Sequence, residues 1–117
     1  MQYLLLIYAN EAETGAMDPA AMGTMMAEYM DFTKSIVQAG NFKAGDRLKP
    51  VSTATTVRVR GGKAMTTDGP FAETREQLGG YYLVEAANLD EATAIAARIP
   101  GAKHGSIAVR PVWMKGE

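Results

Sequence analysis

Apolar residues occupy both odd and even positions from Gln2 to Ala9 and again from Tyr81 to Ala86. That is the pattern of strands covered on both faces and therefore central in their sheet. Between them the period lengthens. Asp18-Pro19 reads as an N-cap followed by proline at the first helical position, and Met22, Met25, Met26, Tyr29, Phe32 and Ile36 recur at helical spacing until Gly40 stops the helix. Core packing accounts for this methionine-rich face without a cofactor. Asn41 to Pro50 reads as turn-rich, with a brief extended piece at Phe42 to Ala44. Thr55 to Arg60 then alternates, Val57 and Val59 on one side against Thr56, Arg58 and Arg60 on the other, and Gly61-Gly62 predicts a tight turn into a strand over Lys63 to Thr67. Thr74-Arg75-Glu76-Gln77 matches a capping box and predicts one helical turn ended by Gly79-Gly80. Asn88-Leu89-Asp90-Glu91 caps a helix with the stripe Leu89, Ala92, Ile95, Ala96 and Ile99, stopped at Pro100-Gly101, and Ser106 to Met114 closes the chain as a strand.

The order β-α-β-β-α-β predicts an α+β fold of ferredoxin-like type, an antiparallel sheet with both helices on one face and the two doubly apolar strands at its centre. Two helices cover one face only. A second copy packed sheet to sheet about a two-fold axis is the simplest cover for the other, so a homodimer is expected.

Composition narrows the function classes. The chain has 117 residues, 47% of them apolar, enough for one domain over residues 1–117. Twelve Lys and Arg against thirteen Asp and Glu leave no basic excess, so nucleic acid is not an expected partner. Cysteine is absent, which removes disulfides, thiolate metal sites and a cysteine nucleophile. The densest apolar run, Leu4 to Ala9, is too short for a membrane helix and lacks the flanks of a signal peptide, so no membrane partner and a cytoplasmic location are expected.

Among residues able to carry chemistry, Asp68 stands out. Gly69-Pro70 breaks the strand beside it and would hold its carboxylate at the end of a central sheet region, where it could act as a general base. The competing role is structural, an aspartate accepting hydrogen bonds from the backbone two residues on. Arg58 and Arg110, each on an alternating strand, would fix a carboxylate or phosphate if they converge; the alternative is an ion pair with Glu85 or Asp46 within or across the dimer. Tyr82 belongs to the aromatic wall of such a cleft, and Glu73 is a loop carboxylate that could line it. His104, the single histidine, reads as a surface residue. No His or Cys cluster and no glycine-rich loop between strand and helix is present, so neither a metal nor a cofactor is expected.

The run Thr67-Asp68-Gly69-Pro70-Phe71-Ala72-Glu73-Thr74-Arg75-Glu76-Gln77-Leu78-Gly79-Gly80-Tyr81-Tyr82, with Tyr3 to Tyr8, Gly45-Asp46-Arg47-Leu48, Thr53 to Arg58 and Val109-Arg110-Pro111-Val112, resembles the YCII-related proteins, in the branch named for its Asp-Gly-Pro-Phe (DGPF) motif. The resemblance is nearly full length. It implies a ferredoxin-like fold that dimerises through its sheets. The wider family is suspected of acid–base catalysis through a histidine early in the first helix and an aspartate. Tyr29 stands where that histidine would sit, so the pair does not carry over; a second departure is Ala108, where the branch commonly has Glu. The branch's frequent neighbourhood with extracytoplasmic-function sigma factors implies an accessory role. Two functions are therefore expected in competition. One is a small-molecule-binding protein, in its catalytic form a cofactor-free acid–base enzyme acting through Asp68 on a small anionic or aromatic metabolite; the other is a non-catalytic accessory or regulatory protein.

Overall fold

The computed structural model describes residues 1–117. Four strands, β1 (Gln2–Ala9), β2 (Phe42–Arg47), β5 (Gln77–Glu85) and β6 (Ser106–Pro111), form an antiparallel sheet in the order β2-β5-β1-β6. Strands β3 (Thr55–Arg60) and β4 (Lys63–Asp68) form a separate two-stranded sheet. The helices are α1 (Glu11–Gly15), α2 (Pro19–Gln38) and α3 (Leu89–Ala97). The protein is therefore α+β with antiparallel sheets.

The two doubly apolar segments, β1 and β5, take the inner positions of the four-stranded sheet. One face of β1 gives Tyr3 and Leu5 to the core, and the same face of β5 gives Tyr82 and Val84. Against them pack Phe32 and Ile36 of α2 and Ala92, Ile95 and Ala96 of α3, so both long helices lie on that face. The opposite face presents Leu4, Leu6, Tyr8, Leu78 and Leu83, all half-buried, and receives neither long helix.

Helix starts follow the local chemistry. The Asp18 carboxylate accepts from the Ala21 N–H (2.7 Å) and Asn88 Oδ1 from the Glu91 N–H (2.9 Å), each satisfying a donor that the first turn leaves free. Asn10 does the same for Glu13, opening α1 inside a segment that reads as loop. The turn between β3 and β4 uses positive φ at both Gly61 (57°) and Gly62 (78°), the conformation that joins two strands of right-handed twist.

Five expectations are corrected. The strand that follows α2 in the main sheet is Phe42–Arg47, not the hairpin, which stands apart. No helical turn forms at Thr74 to Gln77: the Thr74 hydroxyl donates to the Glu76 carbonyl (2.6 Å), and Gln77 turns back to accept from the Glu11 N–H (2.9 Å). Gly79 and Gly80 do not end an element but lie within β5, where a Cβ on Gly80 would come 2.9 Å from the Asp46 carbonyl oxygen of β2. The last strand stops at Pro111 rather than Met114, with one further backbone bond, from the Val112 N–H to the Gln2 carbonyl (2.9 Å), beyond it. Finally, the methionine face of α2 is only partly covered, Met22 and Met25 half-buried and Met26 40% exposed, and only Phe32 and Ile36 of that helix are buried.

Candidate functional site

The candidate carboxylate lies elsewhere than expected. Asp68 ends β4 in the detached hairpin, opposite Thr55, rather than at the end of a central strand. Its side chain is exposed and makes no hydrogen bond or ion pair. The turn around it is held by backbone groups instead: the Gly69 N–H donates to the Ala54 carbonyl (2.7 Å), and the Thr56 hydroxyl to the Gly69 carbonyl (2.8 Å). Nor can it bond the residue two on, because that residue is Pro70, which has no N–H.

The other sequence candidates scatter. Arg58 pairs with Met65, and since partners in a ladder share a face, it projects from the face of the hairpin opposite to Asp68. Arg110 is exposed on the edge strand β6, opposite Leu4. Neither arginine forms an ion pair within the chain: Glu85 is engaged by the amino terminus (2.6 Å), and Asp46 accepts from the Tyr81 hydroxyl (2.7 Å). Glu73 lies exposed in the connection between β4 and β5, and His104 is an exposed residue after a 3-10 turn over Pro100–Lys103. Tyr82 is buried in the core, where its hydroxyl meets Thr33, a residue that lines a concave surface.

That surface is a shallow groove of about 410 Å³ along α2, lined by Met26, Tyr29, Met30, Thr33 and Lys34. Helical spacing puts these residues on one side of α2. The sheet supplies the rest. The Tyr82 hydroxyl lies 2.6 Å from Thr33 Oγ1, with its ring held edge-on against Phe32 and Phe42, and Arg47 at the end of β2 reaches to 3.9 Å from the Met26 sulfur. Tyr29 is fixed from the far side by the buried Gly101, whose N–H donates to its hydroxyl oxygen (3.1 Å).

This arrangement has a definite polarity. Because Tyr29 accepts from Gly101, its own proton remains free to donate. Burial pushes its phenol above the ordinary tyrosine range, with the Gly101 N–H and Arg47 acting the other way, so it stays protonated at neutral pH. One proton of the Thr33–Tyr82 pair is used between them and the other is available. Two cationic side chains, Arg47 and Lys34, flank hydroxyl donors and polarisable thioethers, while the lining contains no carboxylate and no imidazole. The exposed lining of the groove is mostly apolar, with Met26 and Met30 presenting polarisable thioethers.

Of these residues Met26 and Tyr29 were visible as members of a helical stripe, but no sequence signal joined them to Arg47 or to the Gly101 backbone. A residue on an edge strand and one beyond α3 meet α2 only after folding.

Fold and groove together define a small α+β protein with a mostly apolar, cation-flanked groove on its helical layer. The family model for the YCII-related domain matches residues 1–114, and an uncharacterized protein of Rhizobium meliloti (strain 1021) is 38% identical over 114 residues, covering 96% of this chain and 92% of the relative. The chain belongs to the YCII-related family. No helix is long and apolar enough to cross a membrane.

Proposed function

We propose that this protein is a homodimer of the family's DGPF branch that binds a small anionic or aromatic metabolite in the α2 groove, and that it binds this ligand without turning it over. The observation that carries the reading is the Tyr29 hydroxyl, whose oxygen accepts from the Gly101 N–H and so leaves its own proton free to donate. Arg47 and Lys34 supply charge for an anion, and Met26 and Met30 supply soft contact for a ring. The lack of any carboxylate or imidazole in the lining favours binding over acid–base chemistry, which fits an accessory role better than a metabolic one. No cofactor is needed for this, and we place the protein in the cytoplasm.

The strand order β2-β5-β1-β6 with both long helices on one face supports a ferredoxin-like arrangement. Its accessible surface supports the dimer: 8140 Å² against roughly 6,200 Å² for a compact monomer of this mass. The surplus is what a standard interface removes per partner or more, and the uncovered leucine face of the sheet is the natural place for it.

The test is a ligand-observed NMR screen of small anionic and aromatic metabolites against the parent and three variants. Tyr29→Phe and Arg47→Ala should each weaken any hit about tenfold or more, the worth of one hydrogen bond to a charged partner. Asp68→Asn should leave it unchanged. A hit that survives the first two substitutions and is lost with the third moves the site to the hairpin and overturns this reading.

A further inference from the structure

The β3–β4 hairpin forms no ladder with the main sheet and makes no extensive contact with another strand or helix of its own chain. It is rooted at one end of the four-stranded sheet, where Glu11 accepts from the Val51 N–H (3.0 Å) and Asn10 donates to the Arg75 carbonyl (3.1 Å), and from there it runs free. A lone two-stranded hairpin is marginal in water. This one is also sharply sided. By register one face carries Val57, Val59, Ala64 and Thr66, with the valines 59% and 61% exposed and Thr55 and Asp68 at its base, and the other carries Arg58, Arg60, Lys63 and Met65. None of the three cations has an acidic partner in the chain.

The shape of the whole molecule shows how far the arm departs from the body. The Cα radius of gyration is 16.3 Å, where about 13 Å is usual for this length, and the chain fills a slab of 48 × 47 × 19 Å. A valine face left in water on a marginal hairpin is not a resting state for an isolated chain. The surplus accessible surface described above is large enough for a second copy to cover the arm as well as part of the sheet.

We propose that the hairpin is an exchanged arm: in the dimer its Val57 and Val59 face is buried against the partner copy, and its cationic face lies outward. The apolar face selects the occupant, since a polyanion would meet the cationic side and leave the valines in water. The chain's even charge balance points the same way. This inference rests on the dimer reading and adds to it who covers the arm.

Trypsin reads it directly, because Arg58, Arg60 and Lys63 are cleavage sites on the arm itself. We expect cleavage there to slow at micromolar concentration and to speed up on dilution, in step with dissociation followed by sedimentation. Val57→Asp combined with Val59→Asp should raise the dimer dissociation constant about a hundredfold, the value of two buried valines at the low end, with an unchanged far-UV spectrum. Arg58→Gln combined with Arg60→Gln should leave dimerisation unaffected and serves as the control on the opposite face. If the parent is a dimer whose arm is cut at the same rate at every concentration, and the double-aspartate variant dimerises normally, the arm proposal is overturned while the sheet dimer stands. A monomeric parent overturns both. Protection that appears only on adding duplex DNA or anionic vesicles also overturns it, by assigning the arm to a polyanion.

Discussion

The contact between Tyr29 and Gly101 supports a prediction with a worked magnitude. Replacing Tyr29 by Phe keeps the ring and removes the oxygen that accepts from the buried Gly101 N–H. An unpaired buried donor costs about 1–3 kcal/mol; Tyr29 is only half-buried, so water reaches part of the site and the lower end of that range applies. Replacing Gly101 by Ala attacks the same contact from the other side, since the new Cβ would lie 2.5 Å from the Tyr29 hydroxyl oxygen. Displacing a packed side chain in this way costs about 1–3 kcal/mol. With the hydroxyl already removed, the next atoms are Ile7 Cγ2 at 3.4 Å and the ring carbon at 3.8 Å, both tolerable. The two substitutions should therefore be strongly non-additive, the double variant more stable than the sum of the single losses predicts by at least about 1 kcal/mol. Urea unfolding followed by far-UV circular dichroism, at one fixed protein concentration so that dimerisation does not confound the comparison, measures all four corners. In thermal melts the coupling corresponds to a few degrees. Costs that add to within about 0.5 kcal/mol would refute the close approach and, with it, the free Tyr29 proton on which the ligand site depends.

Two further predictions concern charged pairs. The amino-terminal ammonium beside Glu85 holds that carboxyl below its usual range, so its contribution to stability is present above the ordinary carboxylate pKa and is lost as pH falls through the lowered one. Glu85→Gln should thus be less stable than the parent at pH 6 and converge with it in urea midpoints toward pH 3; a gap that persists into acid would show that the ion pair is not its source. The Asp46 carboxylate, accepting from the Tyr81 hydroxyl, raises the Tyr81 phenol above the normal tyrosine range. Absorbance titration at alkaline pH should show one tyrosine ionising earlier in Asp46→Asn than in the parent, and identical curves would contradict the bond.

The sequence alone determined what depends on neighbours along the chain. The caps at Asp18 and Asn88, the Gly61-Gly62 turn and the alternation of the hairpin are local, and the structure repeats them. The inner positions of β1 and β5 were also legible, because apolar residues at both parities suit a strand covered on both faces, the condition of the centre of a sheet. Where a local signal competed with a distant partner, it lost. Thr74 to Gln77 carries a helix-starting pattern, yet Gln77 is drawn to the Glu11 N–H sixty-six residues away and its segment becomes the start of β5. Phe42–Arg47 is a strand although Lys43, Gly45 and Asp46 spoil its periodicity, because an edge strand takes its shape from the ladder it joins and not from its own side chains. The candidate site shows the same division. Asp68 attracted attention through its motif, but the hairpin that carries it stands away from the sheet. The groove that did form joins Tyr29 and Thr33 of α2 to Arg47, Tyr82 and the backbone of Gly101, residues whose meeting is fixed by the packing of α2 on the sheet. Spacing along a helix places side chains on a face; only the tertiary structure decides what that face meets.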